Sequence, residues 1–189
     1  MREAWCAVLA ASMTLLWASG AMAADNKVNC SKLNLEFAPA AQADWTECYR
    51  FHDADAPDGE GAESRSADYE VLLADLKSHV VHLVSADTGQ NTYFTKDPAS
   101  HVIKEFDELE RISNTESEEG FKRYQIVRFQ ASLWKTPVNC FGFVKYGGGA
   151  IGQSGGGMGA ATLLAGYDCW RNATPDRAQI EATLAAIDD

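Results

Sequence analysis

Positive charge is scarce in this sequence. Sixteen lysines and arginines stand against 27 aspartates and glutamates, leaving a formal net charge of −11. An acidic chain repels nucleic acid and anionic membrane surfaces, so any partner chosen by overall charge is expected to be cationic. Closely spaced cysteines are missing too. None of the five cysteines forms a CxxC pair, which argues against a zinc site. Long apolar runs are absent beyond residue 23, and a transmembrane helix needs about 20 such residues. There are no internal repeats. No lysine followed by serine or threonine closes the glycine-rich run, so a Walker phosphate loop is excluded.

The N-terminus reads as a targeting segment. Arg2 precedes an apolar stretch from Cys6 to Trp17, and Ala21-Met22-Ala23 supplies the small-x-small pattern of a signal peptidase site. Cleavage is expected before Ala24, making residues 1–23 a signal peptide and 24–189 a single exported domain. Arg2 and Glu3 cancel, so the mature chain keeps the charge of the whole. Four cysteines remain in it: Cys30, Cys48, Cys140 and Cys169. An even number in an exported chain implies two disulfides. Four cysteines allow three pairings, and the sequence does not choose among them; Cys30–Cys48 and Cys140–Cys169 are favoured because each joins segments close in sequence.

Most of the chain reads as strands. Leu33-Asn34-Leu35-Glu36-Phe37 alternates with period two, and Trp45 to Phe51 is aromatic and β-prone. Tyr69 to Leu76 fits either a helix or a strand and leans to strand. Val80 to Val84 is branched and apolar, and Asp87-Thr88-Gly89-Gln90 predicts a hairpin returning through Thr92-Tyr93-Phe94. Tyr124 to Gln130 is another β-type run, and Trp134 and Pro137 lead into a strand carrying Cys140. Two helices are expected. One starts at Asp97-Pro98 with an apolar stripe of Val102, Ile103, Phe106 and Leu109. The other starts at Thr174-Pro175-Asp176 with Ile180, Leu184 and Ile187. His52–Ser66 and Asn114–Gly120 read as exposed acidic connections. Asp53, Asp55 and Asp58 superficially resemble a calcium loop, but Pro57 stands where an alternate ligand is needed. The expected fold is α+β: an antiparallel sheet of about five to seven strands with two amphipathic helices against it.

The organising stretch runs from Cys140 to Cys169. Two apolar runs flank a glycine-rich segment from Gly147 to Gly159, with Gly147, Gly152, Ser154, Gly157 and Gly159 as the candidate recognition loop. Gly152-Gln153-Ser154-Gly155-Gly156 matches the G-x-S-x-G pattern of hydrolases and resembles the nucleophile segment of trypsin-like proteases. The hydrolase elbow needs a strand before it and a helix after, and here glycines lie on both sides. The upstream histidine context of trypsin-like proteases is absent. His79 and His82, three apart, fall on opposite faces if they lie on a strand, so they do not chelate one metal together. Trp45, Trp134 and Trp170 read as packing beside disulfides or as an aromatic recognition surface. Glu105, Asp107, Glu108 and Glu110 fall on the wet face of the first helix.

These features point to a periplasmic or secreted bacterial protein, non-enzymatic, acting in binding or at the cell envelope, with no cofactor, catalytic residue or metal site assigned. The alternatives are a small secreted hydrolase using Ser154 or an acidic pair, and an acidic inhibitor of a cationic protein.

Overall fold

The structure, a computed structural model, describes residues 26–55, 65–88, 93–148 and 159–188. The strands are β1 (Lys27–Val28), β2 (Glu36–Phe37), β3 (Trp45–Asp55), β4 (Arg65–Asp75), β5 (His79–Thr88), β6 (Leu109–Phe121), β7 (Tyr124–Leu133), β8 (Thr136–Gly147), β9 (Thr162–Trp170) and β10 (Ile187–Asp188). The α-helices are α1 (Ala99–Val102) and α2 (Arg177–Ala185).

Eight strands form one antiparallel sheet in the order β1-β3-β4-β5-β9-β8-β7-β6, and β10 pairs with β2 beside it. Two meanders, β3-β4-β5 and β6-β7-β8-β9, meet where β5 pairs with β9. The three central strands are apolar almost continuously, as in Val80-Val81-His82-Leu83-Val84. That pattern suits strands covered on both faces, and each face of the sheet does carry its own core cluster. On one face Val80, Val84, Val127, Phe129, Tyr167 and their neighbours pack against Ile103, Phe106 and Leu109. On the other, Val81, Leu83, Phe141 and Phe143 pack beneath Leu33, Leu35 and Phe37 and beneath Ile180 and Leu184 of α2.

The sheet curls around the first cluster. Trp45 at the start of β3 lies 6.0 Å, ring centre to ring centre, from Trp134 in the β7–β8 turn. Four strand spacings separate β3 from β8, which on a flat sheet would be about 19 Å. Gly142 on β8 lets the α1 segment lie close against this concave face. A Cβ there would fall 2.1 Å from Ile103 Cγ2.

This architecture corrects the α+β expectation. The protein is mostly antiparallel sheet, with eight strands rather than five to seven and helices of only four and nine residues. The helix expected from Asp97 stops after one α turn and one 3-10 turn. Its N-cap is Pro98, with no side-chain capping bond, and Phe106 is already extended. Val102, Ile103, Phe106 and Leu109 still reach one core. They do so through a helical turn, a bend and the first residue of β6, because Glu108 is drawn into the interior between them. Asn114–Gly120 belongs to β6, a long exposed edge strand whose register shifts and positive-φ residues Arg111 and Asn114 interrupt further pairing. Likewise His52–Asp55 and Arg65–Ser66 are strand rather than loop.

The hairpin expected between Val80–Val84 and Thr92–Phe94 is replaced by β5 pairing with β4 and β9, while Phe94 bridges Ala160. Tyr69–Leu76 is strand up to Asp75. The C-terminal helix begins two residues later than expected. Asp176 accepts from the Gln179 amide and the Gln179 side chain accepts from the Asp176 amide, a reciprocal cap. Both disulfides are present, Cys30–Cys48 and Cys140–Cys169. Cys140 faces Cys169 directly across the ladder, at the end of the β8–β9 hairpin remote from the glycine-rich segment. No helix among the described residues is long and apolar enough to cross a membrane.

Candidate functional site

The sheet delivers β8 and β9 side by side to one end of the molecule, where the chain enters and leaves the glycine-rich segment. Gly147 pairs with Thr162, and its carbonyl accepts from the Ala161 amide at 3.0 Å. A Cβ on Gly147 would come within 2.4 Å of Thr162 Oγ1, and one on Gly159 within 2.3 Å of the Tyr93 ring. Both glycines are therefore needed for close approach at the base of the loop. Gly152, Ser154 and Gly157 lie outside the described residues, as does Asp58. Asp53 and Asp55 lie on β3, in a strand and not in a calcium-type loop.

Beside this base, on the convex face, lies an open groove of about 490 Å³. It is bordered by Gly147 and Thr162, by the C-terminal end of α2 at Leu184 and Ala185, and by Lys122, Arg123 and Lys145. Lys145 projects from β8 with its ammonium 5.2 Å from the centre of the buried Tyr124 ring. Lys122 and Arg123 are the two residues of the β6–β7 turn, and both have positive φ, 45° and 72°. Such a turn strongly favours Asn-Gly. Here it carries two long cations in a backbone region that residues with a Cβ rarely occupy. None of the described lining residues is acidic.

Two histidine–carboxylate pairs straddle the central β5–β9 ladder. On the concave face His82, only 4% exposed, bonds through Nδ1 to Glu108 Oε1. The Tyr167 hydroxyl donates to the same oxygen at 2.8 Å. Burial alone would raise the Glu108 carboxyl, but the His82 and Tyr167 bonds outweigh it and hold it below the usual carboxylate range. Burial, with the Glu108 charge beside it, pushes the Tyr167 phenol well above its ordinary value. On the convex face His79 Nδ1 lies 2.7 Å from Oδ1 of the fully buried Asp168, while Thr183 of α2 donates to its Oδ2 at 3.0 Å. The histidines do occupy opposite faces.

Glu108 corrects the reading that put all four carboxylates on a wet helical face. The sheet-building strand β5 supplies its partner, and nothing in the spacing of the acids marks it. Nε2 of His82 is buried and has no hydrogen-bond partner among the described residues. Neither of the two described grooves is lined by His82, Glu108 or Tyr167. No group of three or more metal-binding side chains occurs among the described residues.

The tryptophans divide. Trp170 is half-buried on His79, whereas Trp45 and Trp134 are 36% and 50% exposed at the end of the sheet opposite the glycine-rich segment. Sequence reasoning singled out the glycine-rich segment but missed the cations beside it. The stretch before Lys122-Arg123 is polar and acidic and reads as a connection, so nothing in the sequence marked this pair as a hairpin turn. Comparison with protein-family models, with curated proteins and with solved structures finds no match for this chain.

Proposed function

We propose that this chain is an exported, non-enzymatic binding protein that takes its ligand at the glycine-loop end of the sheet. The observation that carries the reading is the groove of about 490 Å³ opening beside Gly147 and Thr162. It opens where β8 and β9 lead into and out of the glycine-rich segment, and connecting segments often carry recognition. Export is supported by the signal-like N-terminus and by two disulfides, which persist in an oxidising compartment such as the bacterial periplasm or the outside of the cell. The largely buried His82–Glu108–Tyr167 cluster is taken as core polar structure, its hydrogen bonds made between its own members.

The test uses the whole mature protein and a variant with Ala150–Met158 replaced by a short Gly-Ser link. In a thermal-shift screen of anionic, neutral and cationic small molecules, a ligand that raises the wild-type Tm should lose that effect in the variant. A serine-reactive fluorophosphonate probe should leave Ser154 unlabelled. Labelling of Ser154, with turnover abolished by Ser154→Ala, overturns the non-enzymatic reading.

A further inference from the structure

Two tryptophans stand in the open at the end of the sheet remote from the glycine-rich segment. Trp45 begins β3 and Trp134 opens the β7–β8 turn, with their ring centres 6.0 Å apart and their planes 43° to each other. At 36% and 50% exposure they leave large apolar faces in water. We infer that this pair is a saccharide-binding platform, a second site separate from the groove beside Gly147 and independent of it.

Backbone and orientation both favour a built site. Trp134 and Lys135 fill a two-residue turn at φ of 48° and 69°, where Asn-Gly is the favoured pair. A bulky side chain is an outlier at positive φ, and residues held in such regions cluster at functional sites. Trp45 pairs with Asp75 across the β3–β4 ladder, so the two side chains leave the same face. Arg171 grips both Asp75 oxygens, at 3.1 and 2.5 Å, and the Lys77 amide donates to one of them at 2.9 Å. The Arg171 bonds foremost, then the Lys77 amide and the Trp45 indole N–H, hold the Asp75 carboxyl below the usual range against the opposing effect of burial. Trp45 is thus steered by its polar edge while its ring stays exposed.

Size and charge choose the ligand. The two rings offer on the order of 200 Å² of exposed surface, taking about 250 Å² for a whole tryptophan. A stable protein interface needs about 800 Å² from each partner, so the platform suits a small ring. Lys77, Arg171 and Lys135 stand against Asp44, Asp75 and, at the start of β6, Asp107 and Glu110. Three cations against four carboxylates leave this corner within one charge of balance, in a chain acidic by 11. The carboxylates beside Trp45 are engaged, Asp75 by Arg171 and Asp44 by Lys77 at 3.6 Å. A cation cage would want a carboxylate left over beside the rings, so a neutral ligand fits better. A sugar ring has the matching chemistry. Its C–H face carries slight positive charge for the negative face of an indole, and its rim of hydroxyls meets the polar groups around the rings.

The mature chain contains only three tryptophans, Trp45, Trp134 and Trp170, so 5-fluorotryptophan labelling gives three fluorine resonances. Maltotetraose, cellotetraose and chitotetraose are titrated separately into the whole mature protein, with choline chloride as the cationic control. We expect at least one saccharide to move the Trp45 and Trp134 resonances saturably while Trp170 stays in place. Trp134→Asn installs a residue the turn prefers, so its Tm should be unchanged or raised while binding weakens at least tenfold. Trp45→Ala should weaken it as well, and the variant lacking Ala150–Met158 should bind the saccharide like wild type. No response to any of the three saccharides overturns the inference, as does undiminished binding in Trp134→Asn. A response to choline alone assigns a cation cage and also overturns it. Movement of the two resonances with protein concentration, or with phosphatidylcholine vesicles, in place of a saccharide response assigns the surface to a second copy or to a membrane. Loss of saccharide binding in the loop-shortened variant would refute the separation of the two sites, whereas failure of the groove reading alone leaves this platform standing.

Discussion

Glu108 shows how one residue can redirect a segment. Its sequence neighbourhood, with Glu105, Asp107 and Glu110, has the look of a solvated acidic face. In the fold its carboxylate accepts from Tyr167 and bonds His82, both on central strands, and the helix ends to let it in. Because its folded pKa lies below the unfolded value, ionised Glu108 contributes stability that is fully present above the unfolded carboxylate range near pH 4.3. That contribution is lost as the pH falls through the folded value. Glu108→Gln should therefore cost about 1–3 kcal/mol at pH 7 and progressively less as the pH drops below about 4. Urea unfolding at pH 7 and pH 3.5 checks this, and an equal loss at both would show that the carboxylate's charge is not what stabilises. The cations at Lys122 and Arg123 are a second residue-scale feature. Their positive φ is invisible in a sequence window, because a turn's type depends on the register of the strands it joins.

At the scale of elements, the hairpin of β8 and β9 anchors the sheet. It occupies the middle of the strand order, and its apolar faces serve both cores. Cys140 and Cys169 close a loop with a sequence separation of 29, for which chain-entropy arguments give about 3–4 kcal/mol of stabilisation. Cys140→Ser, Cys169→Ser should lower the Tm by roughly 6–16 °C in a domain of this size, read by calorimetry. A change of less than about 2 °C would mean that the ladder alone already restricts the unfolded ensemble. Strands built from branched and aromatic runs were legible in the sequence, including β5, β7 and β8, while Tyr69–Leu76 in β4 fitted a helix as well as a strand. The first helix was not legible. Its apolar spacing serves a helical stripe and a turn-bend-strand path equally well, and the sheet's demand for Glu108 decided between them. The reciprocal cap at Asp176 and Gln179 likewise moved the start of α2 past Pro175.

For the molecule as a whole, export is the property with the most direct test. The mature protein recovered from a periplasmic or culture fraction of a bacterial host should begin at Ala24, with all four remaining cysteines oxidised, as read by intact mass before and after reduction. Retention of residues 1–23 in a cytoplasmic fraction with free thiols would sink the proposal. The sequence alone determined individual strands such as Val80–Val84 and Tyr124–Gln130, because side-chain patterning is a local property; it favoured a disulfide pairing without deciding it, and its balance of helix to sheet was wrong. It also placed His79 and His82 on opposite faces of a strand, since side-chain alternation depends on nothing beyond that strand. Only the tertiary structure decided that two meanders join through β5 and β9, that the sheet curls until Trp45 meets Trp134, and that Glu108 meets His82 and Tyr167. It alone brought Lys122, Arg123 and Lys145 to one groove. Those are contacts between residues far apart in the chain, and they follow from strand order and twist, which no local pattern of side chains encodes.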